Sequence, residues 1–182
     1  MKRKSVFGHL TMAFVLVSIL FSGPVLAQKK KAVKLSDAEI ASVAVAANQI
    51  DIQAAQLAQQ KSKNADVQNF AKTMITDHQS VIDKATALVT KLGVTPKDNA
   101  VTRQLQANAK KTMARLKTKS GTAFDKAYAQ NEVTYHKAVI AAVDKTLIPD
   151  AQNAELKSLL QSVSPVLHTH LEHAQMVAKN LK

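Results

Sequence analysis

Three histidines, His78, His136 and His170, fall on the apolar stripes of three different helical stretches, and their coincidence is the most chemical feature of this chain. There are six histidines and no cysteine, so any metal must be held by nitrogen and oxygen donors. His173 follows His170 by about one helical turn, whereas His168 lies on the polar face with Gln161, Ser164 and Gln175. Carboxylates accompany the imidazoles. Asp51 borders the stripe of the first helical stretch, among Ala44, Ala47, Asn48, Ala54 and Ala58. Asp77 precedes His78, and Glu132 shares the face of His136 four residues on.

Imidazole and carboxylate together suit Fe, Zn, Mn or Cu better than Ca or Mg. Helical bundles build metal sites from such inward side chains on facing helices. Asp51, His78, His136 and His170 are therefore the first candidate ligands; Asp77, Glu132 and His173 are alternates, or groups that orient the imidazoles. The same residues also admit a structural reading. With Tyr128 or Tyr135 they could form a hydrogen-bonded polar core that sets helix register without metal, because buried ionisable groups need partners. Whether the three imidazoles converge on one point separates the two readings. No Gly-x-Ser-x-Gly elbow, Gly-rich phosphate loop or His-Glu-x-x-His is present, which makes a hydrolase the least supported class. No reaction is assigned, and a redox role is compatible with the residues without being required by them.

The elements that must position these residues are helical. Ser36 and Glu39 have capping-box spacing and open a helix reaching about Ser62. Its stripe is Ile40, Val43, Ala44, Ala47, Ile50, Ala54, Leu57 and Ala58. Asn64 caps a second helix from Ala65 to Leu92, ended by Gly93. Thr95-Pro96-Lys97-Asp98 is expected to start a third region that pauses at Ser120-Gly121 and resumes to about Lys145. Pro149-Asp150 is expected to open the fourth, with a kink or short break at Pro165. No strand-like alternation appears. The expected fold is an all-α four-helix bundle, its third region broken and its fourth Pro-kinked.

Residues 1–27 read as a signal peptide. Three positive charges precede a run of about 12 largely apolar residues, Leu10–Phe21, and Val25-Leu26-Ala27 supplies small residues for cleavage near Ala27. That run falls short of the roughly 20 residues of a permanent span. The expected product is periplasmic or secreted, with a basic tail over 28–35 and a bundle domain over 36–182. The leader takes three of the 25 basic residues, leaving 22 against 13 acids, a net +9. Such a surface can favour anionic lipid or polysaccharide of the envelope. Nucleic acid is a poor fit, since aromatic residues for base stacking are scarce. The alternative to a metal protein is thus a non-enzymatic envelope or stress-associated protein with a basic surface.

Several local signatures occur in order: Asn48-Gln49-Ile50-Asp51-Ile52-Gln53, Phe70-Ala71-Lys72-Thr73-Met74-Ile75-Thr76-Asp77-His78, Phe124-Asp125-Lys126-Ala127-Tyr128 with His136, and His170-Leu171-Glu172-His173. Over roughly Ser36 to Lys179 the chain resembles the exported bacterial family called domain of unknown function 4142. The resemblance implies a ferritin-like bundle and no particular activity. Where that family shows Glu-x-Glu in its first helix, this chain has Asp51-x-Gln53. Di-iron carboxylate bundles use Glu-x-x-His on two helices, but no Glu lies three residues before His78 or His170, and Glu132 precedes His136 by four.

Overall fold

The computed structural model describes residues 34–181, and all regular structure among them is helical. The leader over 1–27 and the tail up to residue 33 lie outside the described residues. Helix α1 spans Asp37–Lys61, α2 Ala65–Lys91, α3 Ala100–Lys117 and α4 Gly121–Ala142. Helix α4 continues through a π-helical turn, Val143–Leu147, into the short α5, Ile148–Asp150; α6 spans Ala154–Asn180. None of these helices is long and apolar enough to cross a membrane.

Local chemistry explains the first boundaries. The Ser36 hydroxyl accepts from the Glu39 amide, and the Glu39 carboxylate accepts from the Ser36 amide at 3.0 Å. Asn64 accepts the Val67 amide at the start of α2. At its end Gly93 adopts φ +62, Val94 N–H reaches the Val89 carbonyl and Gly93 N–H the Thr90 carbonyl. That is a Schellman closure, with glycine supplying the left-handed residue.

Three expectations are corrected. The third region does not start at Thr95–Asp98: Asn99 caps α3 through the Val101 and Thr102 amides, and the preceding residues form a connection. Its side-chain amide also donates to the Glu39 carbonyl, tying α3 to the first turn of α1. Pro149-Asp150 does not open the last helix. Pro149 lacks the N–H that would bond the Lys145 carbonyl, and the chain widens into the π turn just before it. The last helix is capped instead by Asn153, which accepts the Glu155 and Leu156 amides. Finally, α6 runs without a break through Pro165, which sits on its exposed side. Ser164 does not cap a new turn; its hydroxyl donates to Asp144 Oδ1.

Helices α1, α2, α6 and α4 form the bundle, each packed on its antiparallel neighbours. The three-residue turn at 62–64 pairs α1 with α2. Helix α3 is a helical crossover that lies along the outside of α1 and carries the chain back to the end at which α4 starts. Lys61 Nζ donates to the Lys117 carbonyl there and stands 5.5 Å over the Phe124 ring. At the other end Asp37 accepts the Gln152 and Asn153 amides, and Asp150 the Leu35 amide.

The interior has two apolar layers. One gathers Leu57, Ala58, Val67, Phe70, Met74, Phe124, Tyr128 and Val177; the other gathers Ile40, Val43, Ile140, Leu156, Leu160 and Leu167. Between the two layers α1, α2, α4 and α6 contribute the buried polar side chains Asp51, His78, His136 and His170 respectively, and α4 adds Glu132 one turn before His136.

Candidate metal centre

Asp51, His78, His136 and His170 are 1 %, 4 %, 1 % and 4 % exposed, so the seam between the apolar layers is closed to bulk water. The three imidazoles offer ring nitrogens that all lie within 4.8 Å of one another. Their ring centroids stand 5.2 to 5.8 Å apart. Asp51 Oδ2 is 3.4 Å from His78 Nε2 and 3.6 Å from His136 Nε2. Both contacts are longer than an N–H···O hydrogen bond. Donors around a tetrahedral ion stand about 3.3 Å apart, close to both Asp51–histidine distances.

Each imidazole is held by its other nitrogen. His78 Nδ1 meets Asn48 Oδ1 at 2.7 Å. His136 Nδ1 meets the Glu132 carbonyl at 3.0 Å, and His170 Nε2 meets Asp77 Oδ2 at 2.9 Å. An oxygen acceptor on one ring nitrogen makes that nitrogen the N–H donor and leaves the other with a free lone pair. The nitrogens left over, His78 Nε2, His136 Nε2 and His170 Nδ1, have no hydrogen-bond partner among the described residues, nor do the two Asp51 oxygens. A buried polar group without a partner costs about 1–3 kcal/mol, and here five such atoms gather at one seam.

Burial also sets the protonation. It pushes the His78 imidazole down to about 3, helped by the nearby charges of His170 and His136. His136 is lowered to about 4 by burial, against the pull of its bond to the Glu132 carbonyl. His170 is lowered by burial, opposed by Asp77. The Asp51 carboxyl is raised by burial to about 7, and Glu132 is raised well above the carboxylate range by burial and by Asp51. With the imidazoles neutral, the Asp51–histidine contacts are not ion pairs. The imidazoles are in the protonation state that binds a cation, and a cation in turn favours the ionised form of Asp51.

The remaining sequence candidates take different places. Asp77 orients His170 from a half-exposed position. Glu132, 0 % exposed, holds His136 through its backbone while its Oε2 lies 3.7 Å from His136 Nδ1. His173 is outside the group of converging imidazoles and meets the Phe70 ring edge-on, centroids 5.0 Å apart. His168 is exposed, 3.8 Å from Asp144. Asn48 is a functional position that sequence reasoning passed over. Its place three residues before Asp51, on the same face of α1, was the available signal. Tyr135 donates to the Ala47 carbonyl at 2.8 Å and braces the same turn of α1.

Residues 23–177 match the family described as Domain of unknown function (DUF4142). No curated protein matches the sequence. Among solved structures the chain is similar to one described as CopM in the Cu(II)-bound form, with a TM-score of 0.62 and 12 % identity. The match covers 82 % of this chain and 100 % of that one. At such identity the likeness shows the fold alone.

Proposed function

This chain belongs to the DUF4142 family, and from that premise we propose that it is an exported helical bundle binding one divalent transition-metal ion. The ligands are His78 Nε2, His136 Nε2, His170 Nδ1 and the Asp51 carboxylate. The observation that carries the reading is the matched pair of roles on every imidazole, one nitrogen tied to oxygen and the other buried and bare, in three rings whose nitrogens gather within 4.8 Å. A structural polar core would use both nitrogens of each ring.

Three neutral imidazoles and one carboxylate, with no thiolate, favour Cu(II) first by the order of divalent affinities, and Zn(II) next. The solved bundle of similar fold described in a Cu(II)-bound form supports the same choice. Export rests on the order of charges, apolar run and small residues over 1–27. It would place the site where copper and zinc are met without competition from cytosolic thiols. Metal analysis of untagged protein from metal-replete growth tests the reading. About one equivalent of Cu or Zn is expected, lost in the Asp51→Ala/His78→Ala double variant; wild-type protein free of Cu, Zn, Fe and Mn would sink it.

The affinity should also depend on pH with a defined sign. The imidazoles are held neutral well below the usual histidine range, so protons compete little for them. Asp51, raised to about 7, must lose its proton on binding. Affinity should fall about tenfold for each unit of pH below about 7 and level off above it. Titrations across this range with Asp51→Asn should show a nearly flat profile. A slope of three or four protons in wild type would mean the histidines titrate as free side chains.

A further inference from the structure

The three imidazoles and one oxygen of Asp51 leave part of this buried cluster without a role. Glu132 Oε2 and the Tyr128 hydroxyl have no hydrogen-bond partner among protein groups, and Asp51 has two such oxygens. Tyr128 and Glu132 are 0 % exposed and Asp51 1 %. Glu132 lies one turn beyond Tyr128 on the inward face of α4. Burial first, and then the neighbouring Glu132 and Asp51 carboxyls, raise the Tyr128 phenol.

Asp51, Glu132 and His136 each bring an atom within 4.8 Å of the others, a second group that shares Asp51 and His136 with the imidazole site. His136 Nδ1 is already bonded to the Glu132 carbonyl at 3.0 Å, and its Nε2 faces the imidazole side. What remains is a set of oxygens: one from Asp51, one from Glu132 and the phenol.

We propose a second cation position on this oxygen side, formed by Asp51 Oδ1, Glu132 Oε2 and the Tyr128 hydroxyl, with Asp51 bridging to the imidazole-held ion. The inference rests on the imidazole site binding a metal. Oxygen donors without imidazole select a harder ion than Cu(II), and among transition metals Mn(II) fits them best. The two positions therefore differ in chemistry as well as in place, one nitrogen-rich and one oxygen-only. A buried water could also bridge three polar groups, and a Mn(II) titration separates the two occupants.

The test fills the first position with one equivalent of Zn(II) in the purified protein and then titrates Mn(II), counting free Mn(II) by its electron paramagnetic resonance signal. One saturable Mn(II) equivalent is expected beside the retained Zn(II). Glu132→Gln, the same shape as the protonated side chain, should keep Zn(II) and weaken Mn(II) binding at least about tenfold. Tyr128→Phe should weaken Mn(II) and spare Zn(II). No saturable Mn(II), or equal binding by wild type and both variants, would overturn the second position while leaving the first intact. Failure to bind Zn(II) in the first step would instead overturn the metal reading as a whole. Melting curves of each metal-free variant confirm that the fold persists.

Discussion

His136→Ala should abolish metal-dependent stabilisation while leaving a folded bundle. In wild type, Cu(II) or Zn(II) at 100 times the dissociation constant should stabilise the native state by about 2.7 kcal/mol. For a domain of this size that raises the melting temperature by roughly 5–10 °C. His136 supplies a bare Nε2 3.6 Å from Asp51 and touches both imidazole neighbours. Without it the affinity should drop by at least about a hundredfold, and the same metal concentration should shift nothing. The metal-free variant should stay folded but lose the packing of a ring only 1 % exposed, roughly the 2–5 kcal/mol of a core truncation, so the response to metal is the deciding readout. Melting curves with and without metal decide the matter. A structural polar core predicts instead no response to metal or chelator in wild type.

Phe70→Ala should cost about 3–5 kcal/mol of stability, the range for a fully buried Phe. The ring is 0 % exposed and joins three helices, standing 6.1 Å from the Tyr128 ring on α4 and 5.0 Å from the His173 ring on α6. On the α1 side its layer holds three alanines, Ala54, Ala55 and Ala58, beside Leu57. Small residues backed by helix axis cannot move in to fill the space, so the cavity persists and its full cost is felt. Urea unfolding of metal-free protein measures this directly. Phe70→Leu, which keeps most of the volume, should lose less than half as much, and equal losses for the two would show that the layer collapses. The same change separates packing from chemistry, since it removes no candidate ligand.

Much of the architecture was legible because its causes are local. The Ser36–Glu39 box, the Asn64 cap and Gly93 each act within a few residues, and the first two helices end where those signals lie. The later boundaries were misread where two local signals competed. Thr95-Pro96 resembles a helix start, but Asn99 can also anchor on the Glu39 carbonyl 60 residues away, and that bond places the cap. Pro165 has the chemistry of a helix breaker, yet on an exposed face its missing N–H leaves no buried carbonyl unpaired, and α6 continues. The separate α3 followed from the pause at Ser120-Gly121, but its position outside α1 depends on packing that no spacing reveals.

For the candidate centre the division is sharper. The sequence by itself determined that each bundle helix turns at least one ionisable residue inward, since a face is set by 3.6-residue periodicity and the apolar neighbours that share it. It also restricted the donors to nitrogen and oxygen. Only the tertiary structure decided which ring nitrogen each histidine presents. That choice is made by Asn48 acting on His78 across 30 residues and Asp77 on His170 across 93. It likewise decided that His170 joins the group while His173 packs on Phe70, although the two are one turn apart. Periodicity places a side chain on a face to within a turn, whereas ligation depends on depth between layers and on ring rotation. Both are settled by contacts with other helices, and those contacts exist only once the bundle has closed.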